Sequence, residues 1–193
     1  MKPIDPAGFE AMFRKDVDPW NYAASPFEAY KRDRLLKACG DRLYGRGLEL
    51  ACANGETTRR LASRCLRLLA IDASVTVVRE AQQRTRHLAN VAVRQAVLPG
   101  QMPRGPFDLI VASEILYYLR AADMLALLRR IESGLAPGGR VVLLHHILPF
   151  DDASQIPAQA QSRARFTLSR GLKPVVDLQD RRFAIFAAEK PQS

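Results

Sequence analysis

The chain has 193 residues, of which 48% are hydrophobic, and this suits one α/β domain of about 100 to 200 residues. No apolar run approaches the roughly 20 residues of a membrane span, and the first residues lack a signal-peptide pattern, so we expect a cytoplasmic protein without a membrane partner. The net charge of +9 comes from scattered basic residues rather than from a block, and it gives no clear indication of a nucleic-acid partner.

A helix start is the first strong signal along the chain. Ser25 suits the N-cap, Pro26 the first helical position, and Glu28 the third residue after the cap of a capping box. Gly40 ends the helix that follows.

The residues before this helix include the only tryptophan, Trp20, behind a proline. A proline-fixed turn and a capped helix form a short element that docks or lifts as a unit. We expect 1–45 to be an N-terminal helical lid over a core that spans 46–193, within one domain over 1–193. The alternative is that Trp20 only anchors the helix to the core.

A strand, a tight turn and a helix follow in close succession. An apolar run predicts a strand at 47–51, and 56–64 predicts a helix. A second strand, 66–71, stops at Asp72. A carboxylate about 20 residues beyond such a turn suits the ribose hydroxyls of a nucleotide-like ligand.

The turn itself indicates which nucleotide-like ligand is favoured. It carries Ala51, Ala53 and Gly55, where a pyrophosphate-binding loop has three glycines. The side chains of the alanines would hinder close approach to bridging phosphates, so a ligand without phosphates fits better.

The rest of the chain continues to alternate between strands and helices. Near-continuous apolar strands separated by helices predict a doubly wound, mostly parallel α/β sheet. Further strands are predicted at 91–96, 107–113 and 140–147, and further helices at 74–88 and 121–134.

The C-terminal part adds a different connection. The β-rich runs 175–178 and 183–188 are separated by only a few residues, which requires an antiparallel hairpin and brings the sheet to seven strands. The segment 149–165, rich in proline, alanine and glutamine, predicts a long irregular insertion.

In these motifs the chain resembles S-adenosylmethionine-dependent methyltransferases of class I, and more narrowly the nodulation protein S (NodS) family of N-methyltransferases. The resemblance extends over about residues 10–146. It rests on 13–20 (FRKDVDPW), 25–28 (SPFE), the turn at 48–58, Ile71 with Asp72, 107–111 (FDLIV) and 113–119 (SEILYYL).

The resemblance implies S-adenosylmethionine as cofactor, S-adenosylhomocysteine as product and a small-molecule methyl acceptor. For NodS proteins that acceptor is the free amine of a partly deacetylated chitooligosaccharide. It also implies that Glu49 orders the turn around the amino-acid end of the cofactor. The helix that starts at Ser25 carries Lys31, Arg32 and Arg34, and we expect one of them to meet the cofactor carboxylate through charge-assisted hydrogen bonds. The resemblance favours Lys31, and the alternative is that these cations form a solvated face. The full set of expected cofactor-binding residues is Trp20, Lys31, Glu49, Ala51, Asn54, Gly55, Asp72, Ala73, Ala96, Val97 and Ser113.

The chain departs from the usual methyltransferase pattern at the adenine. Many class I methyltransferases have an acid after the third strand, and here Ala96 or Val97 takes its place. We expect adenine to be held by backbone groups and by apolar packing on Leu98 or Met102.

The candidate catalytic residues follow the fourth and fifth strands, where an acceptor would lie. Glu114 would orient an ammonium group or take its proton, and Tyr117 or the adjacent Tyr118 would stack on a ligand. His145 and His146 point to opposite faces of a strand, and His146 is the candidate base. For each of these residues the alternative is an ordinary structural role.

Three functions remain open at this level. An N-methyltransferase of a small molecule or amino sugar comes first, then an O- or N-methyltransferase of another metabolite. A cofactor-binding module associated with nucleic acid comes third. Cys39, Cys52 and Cys65 form no CxxC pair, so no metal or disulfide is expected, and the protein should be a monomer or homodimer.

Overall fold

Seven strands form a mixed sheet in the computed structural model, which describes residues 3–192. The sheet order is β3-β2-β1-β4-β5-β7-β6. Neighbours from β3 to β5 pair in parallel, and β7 pairs antiparallel with β5 and β6. The doubly wound sheet with a C-terminal antiparallel hairpin is therefore confirmed. The strands are β1 (Tyr44–Leu50), β2 (Cys65–Asp72), β3 (Val91–Gln95), β4 (Phe107–Ser113), β5 (Leu135–His146), β6 (Lys173–Gln179) and β7 (Phe183–Glu189).

Helices cover both faces of the sheet. On β4, Leu109 and Val111 belong to one buried cluster, and Ile110 and Ala112 belong to another. This alternation shows that the central strand is buried on both sides, as a parallel sheet requires. The α-helices are α1 (Pro6–Lys15), α2 (Pro26–Ala38), α3 (Glu56–Leu61), α4 (Val75–Thr85), α5 (Ala121–Gly134) and α6 (Pro157–Leu168).

Side-chain caps start the helices that border the candidate site. Ser25 Oγ accepts a hydrogen bond from Glu28 N at 3.3 Å, which starts α2, and Ser74 Oγ accepts one from Val77 N at 3.2 Å, which starts α4. Asp5 caps α1 in the same way. Such caps satisfy N–H groups that have no partner within the helix.

The prediction of an irregular insertion at 149–165 is wrong. Most of that segment belongs to α6, which begins at Pro157 and buries Ala160, Ala164 and Leu168. These residues are four positions apart and form one helical stripe. The stripe is made mainly of alanine, so its hydrophobic periodicity is too weak to be read from the sequence.

Strand β5 also begins earlier than the sequence predicts. Leu135 already pairs with Phe107, and the next pair joins Arg140 to Leu109, so the Pro-Gly-Gly stretch forms a bulge within the strand. Gly138 has φ +69°, a backbone conformation that favours glycine.

Among residues 3–192, none of the helices has the length and apolar character needed to cross a membrane. Cys39, Cys52 and Cys65 are buried free thiols.

Candidate active site

A cavity of about 500 Å³ lies at the carboxyl ends of the parallel strands, where the chain order reverses between β1 and β4. Ligands of open α/β sheets bind at this kind of position. All but one of the expected site residues line it. They are Trp20, Lys31, Glu49, Ala51, Asn54, Asp72, Ala73, Ala96, Val97, Ser113, Glu114, Tyr117 and His146.

The exception, Gly55, shapes the turn below the cavity. Its φ is +80°, and a Cβ there would come within 3.0 Å of Ala81 on α4. Ala51 and Ala53 adopt φ of 56° and 46°, a conformation that costs a non-glycine residue on the order of 1 to 3 kcal/mol. The turn therefore keeps a strained backbone next to the cavity.

Asp72 holds this turn against the end of β2. Its carboxylate accepts hydrogen bonds from Ala53 N and from Ser74 N, both at 3.0 Å. Burial raises the pKa of Asp72, although these backbone donors oppose the rise. Each carboxylate oxygen retains a lone pair, so Asp72 can also accept hydrogen bonds from a ligand in the cavity.

Two polar groups at the turn have no hydrogen-bond partner. Glu49 Oε2 and Asn54 Nδ2 are fully buried and unpaired among residues 3–192. A buried unsatisfied group costs about 1 to 3 kcal/mol, and both residues face the cavity. They offer one acceptor and one donor to a ligand with an amino-acid end.

The end of the cavity near Ala96, Val97 and Leu98 suits a planar nucleobase. Leu98 lines it, whereas Met102 is buried in the core below. Ala96 N donates to Asp72 O at 2.8 Å, and Val97 N donates to Gln101 Oε1 at 2.7 Å. Gln101 is a polar neighbour of this region that sequence reasoning missed, because its contact depends on the loop after β3.

Lys31 is already paired with protein carboxylates. Its Nζ lies 3.0 Å from Glu28 Oε1 and 2.5 Å from Glu114 Oε1. Burial acts to lower the pKa of Lys31, but the charges of Glu114 and Glu28 raise it. The predicted capping box at the start of α2 does not form. The Glu28 carboxylate pairs with Lys31, and Ser25 N donates to Asn21 O instead.

The sequence offered the neighbouring Arg32 as an alternative to Lys31, and among residues 3–192 it is the cavity-lining cation that forms no salt bridge. It lines the cavity and is 9% exposed. Its Nη1 donates to Tyr22 O at 3.2 Å, and no carboxylate among residues 3–192 forms a salt bridge with it. Burial lowers its pKa, and the charges of Glu56 and Glu28 partly oppose that fall. A buried guanidinium that forms no salt bridge is stabilised when an anion joins it.

Glu114 lies at the end of β4, and both oxygens of its carboxylate have partners within the protein. It has φ 54°, and its Oε2 accepts from Tyr117 Oη at 2.5 Å and from His146 N at 2.8 Å, while Oε1 pairs with Lys31. Burial acts to raise the pKa of Glu114, but Lys31 and the other partners lower it overall. Its lowered pKa keeps this carboxylate ionised at neutral pH and makes it a weak base.

The two histidines of β5 point to opposite faces, as predicted. His145 is buried, accepts from Leu116 N at 3.2 Å through Nε2, and contacts Gln161 Oε1 at 2.9 Å through Nδ1. Burial lowers its pKa to about 4. The ring of His146 faces the cavity and lies 6.0 Å from the Phe150 ring, and burial lowers its pKa also.

The N-terminal residues close the cavity from above. Phe9 packs edge-on against Tyr118 with ring centroids 4.8 Å apart, and Phe13 packs against Trp20 at 5.7 Å. Ile4 N donates to Asp152 O at 3.2 Å. Helix α1 and the loop after it thus occupy the position expected of a lid.

Comparison with known proteins agrees with this geometry. The family model described as Nodulation protein S (NodS) matches residues 5–145. Nodulation protein S of Rhizobium tropici is 36% identical over 131 residues, or 65% of this chain and 53% of the relative. That of Azorhizobium caulinodans is 29% identical over 126 residues, or 63% and 60%. The chain therefore aligns with less than two thirds of the length of these curated relatives.

A solved structure extends the likeness to nearly the whole chain. The N-methyltransferase NodS from Bradyrhizobium japonicum WM9, crystallised with S-adenosylhomocysteine, superposes with a TM-score of 0.80 at 25% identity, covering 94% of this chain and 98% of that one. The fold is that of class I methyltransferases. Within that class, the chain belongs to the nodulation protein S family.

Proposed function

We propose that this protein is an S-adenosylmethionine-dependent methyltransferase that acts on the amine of a small molecule or amino sugar. The observation that carries the proposal is the pair of unpartnered buried groups, Glu49 Oε2 and Asn54 Nδ2, beside Asp72 in a cavity at the switch point of the sheet. The similar B. japonicum protein is an N-methyltransferase and was crystallised in complex with S-adenosylhomocysteine, which supports both the reaction and the cofactor.

The cavity residues suit the parts of this cofactor. Asp72 would accept the ribose hydroxyls, and Leu98 would pack on the adenine. Glu49 and Asn54 would meet the amino-acid end. Arg32 is a better partner for the cofactor carboxylate than Lys31, because Lys31 already has two carboxylates.

The remaining cavity-lining residues of the predicted set would complete the cofactor site by shape and by backbone groups. They are Trp20 in the lid and Ala51, Ala73, Ala96, Val97 and Ser113 around the sheet edge.

The acceptor would lie between the cofactor and β5. The bound cofactor supplies a methyl group activated by the sulfonium charge, so the chain's residues need only orient a lone pair, exclude water and accept a proton. His146 has a lowered pKa, so at neutral pH its imidazole can take the amine proton. Glu114, held by Tyr117, would attract the acceptor while it is still an ammonium ion.

The test is methyl transfer from isotope-labelled S-adenosylmethionine to a panel of amines, including a partly deacetylated chitooligosaccharide. The proposal predicts label on at least one amine, and a loss of about 100-fold or more in His146→Gln. His87→Gln, at an exposed histidine, is the matched control. Label found only on hydroxyl acceptors would contradict the N-methyltransferase proposal.

The net charge of +9 supports a second candidate, methylation of a metabolite that carries a carboxylate or phosphate. Anionic amines therefore belong in the panel. A nucleic-acid-associated module is the third candidate, and it would show salt-dependent binding to generic RNA.

We also propose a cytoplasmic location, because a reducing compartment suits three buried free thiols. The single domain over 1–193, with a lid at 1–45 and a core at 46–193, is part of the same proposal.

A further inference from the structure

Glu49 is a buried acidic residue of the cavity whose surroundings do not stabilise a negative charge. It lies at the end of β1, is 3% exposed, and its Oε2 has no hydrogen-bond partner. Asp72 on β2 and the Thr58 hydroxyl on α3 face it. No ammonium or guanidinium group among residues 3–192 contributes to its pKa.

Three cysteine thiols lie close enough to this carboxyl group for a charge on it to raise their pKa. They are Cys39 at the end of α2, Cys52 in the turn and Cys65 on β2. Burial raises the pKa of each of these thiols. They therefore remain neutral at physiological pH, so they add no negative charge near Glu49, and a thiol cannot supply the positive charge that would balance its carboxylate.

A negative charge on Glu49 is costly in this setting. Burial raises its pKa to about 8, the Thr58 hydroxyl offsets part of the rise, and the nearby charge of Asp72 adds to it. At neutral pH the ligand-free protein therefore carries Glu49 as the carboxylic acid.

We propose that binding of the cofactor's amino-acid end beside Glu49 is linked to protonation, so that one proton leaves the protein–ligand pair for solvent when the cofactor binds. The inference rests on the proposed function, because it requires a ligand with an amino-acid end. The α-ammonium would supply the counterion that the protein does not provide.

The proton balance is the same in either form of the pair. If the acid O–H breaks, its proton passes to solvent and the ammonium N–H donates to the carboxylate. If the ammonium loses the proton instead, the acid O–H donates to the amine. One proton leaves in both cases, so the stoichiometry does not depend on where the shared proton lies.

The test is calorimetric titration with S-adenosylhomocysteine at pH 6.5 in buffers of different ionisation enthalpy. The slope of the observed enthalpy against the buffer ionisation enthalpy gives the protons released. We expect close to one proton at pH 6.5 and a value falling towards zero at pH 9. The association constant should rise about tenfold per pH unit between pH 6 and 7.

Two controls assign the released proton. Methylthioadenosine, which lacks the amino-acid end, should bind the unaltered protein without proton release. Glu49→Gln should still bind S-adenosylhomocysteine, more weakly and with no release, whereas Asp33→Asn, an exposed acid on α2, should keep the release.

The outcomes separate this inference from the proposed function. Binding of S-adenosylhomocysteine without proton release overturns the inference alone, as does equal release with methylthioadenosine. Release that persists in Glu49→Gln assigns the proton to another group and also overturns it. Failure of S-adenosylhomocysteine to bind the unaltered protein overturns the proposed function as well.

Discussion

At the scale of single residues, the charged groups around the cavity fall into two kinds. Lys31 and Glu114 satisfy each other and their neighbours within the protein. Arg32 forms no salt bridge among residues 3–192, although the charges of Glu56 and Glu28 act on it, and Glu49 is buried with its Oε2 unpaired and no cation beside it. Because a buried charge without a partner is costly, the second kind is where a zwitterionic ligand gains most.

Asp72→Ala is expected to weaken S-adenosylhomocysteine binding by about 1.5 to 3 kcal/mol, because it removes a charged acceptor for the ribose hydroxyls. Calorimetry on the folded variant measures the effect. Asp108→Asn, which alters an aspartate that accepts from Arg46 N, is a control outside the cavity lining. An unchanged affinity in Asp72→Ala would remove the ribose assignment.

Arg32→Gln should weaken binding of S-adenosylhomocysteine by about 1.5 to 3 kcal/mol but leave methylthioadenosine unaffected, because only the former has a carboxylate. Lys37→Gln on the exposed face of α2 should change neither affinity. Equal weakening for both ligands would show that Arg32 supports the fold rather than the carboxylate.

Glu49→Gln should stabilise the ligand-free protein at alkaline pH. The folded-state pKa of about 8 lies above the ordinary 4.5, so the folded state holds the proton more tightly and stability falls as pH rises from about 4.5 to 8. Well above pH 8 the variant should exceed the unaltered protein by about 5 kcal/mol in unfolding free energy, with little difference below pH 4.5. Urea unfolding at pH 5 and pH 9 measures this, and a pH-independent difference would contradict it.

Sequence reasoning brought the turn and Asp72 to the cavity but had no means to decide between the adjacent cations of α2. Asp72 was predictable because it ends the second strand at about 20 residues beyond the turn, the spacing of a ribose-binding carboxylate. Lys31 and Arg32 are adjacent on α2 and both are buried, so the sequence does not show which one meets a protein carboxylate. That depends on Glu28 and Glu114, which approach from different elements.

At the scale of secondary-structure elements, one carboxylate of α1 accepts hydrogen bonds from the start of α4. Glu10 accepts hydrogen bonds from Ser74 Oγ at 2.6 Å, Thr76 Oγ1 at 2.7 Å and Thr76 N at 3.2 Å, all at the start of α4. The hydrogen bonds from Ser74 and then Thr76 lower its pKa to about 2. Its contribution to docking is therefore present above pH 4.5 and is lost as pH falls towards 2.

Glu10→Gln should loosen α1 and change Trp20 fluorescence in the ligand-free protein, since Phe13 of α1 packs on that ring. Binding of S-adenosylhomocysteine should reverse part of the change. Glu132→Gln, on α5, is the control. Fluorescence identical to that of the unaltered protein would show that Glu10 does not hold the lid.

Deleting residues 1–24 should spare the sheet and abolish methyl transfer. A deletion to residue 30 would cut into α2, whose Phe27 packs on Phe183, so the boundary before Ser25 is the better one. Circular dichroism checks the fold and the labelled-methyl assay checks activity. A folded deletion variant with full activity would contradict the lid and would show that Trp20 only packs against the core.

The strands were predictable because most are continuous apolar runs, whereas the bounds of α1 within the expected helical lid and the existence of α6 were not. Helix α1 has a cap and a proline, but of its apolar residues only Phe13 is buried. Helix α6 packs through alanines. Both elements depend on contacts with distant residues for their stability.

At the scale of the whole molecule, the family match includes only some of the residues at the acceptor end of the cavity. The match ends at residue 145, immediately before His146. Ser154 N and Gln155 N donate to Tyr117 O at 2.9 and 3.1 Å, so the segment beyond the match supports the turn that carries Tyr117. We therefore expect the acceptor preference to differ from that of the curated relatives more than the cofactor preference does.

The most direct test of the central claim is calorimetric titration of the full chain with S-adenosylhomocysteine, with S-adenosylmethionine as competitor. We expect one saturable site per chain, displacement by S-adenosylmethionine, and weakened binding in both Asp72→Ala and Arg32→Gln. No saturable binding to the folded protein, or binding that neither substitution affects, would contradict the claim.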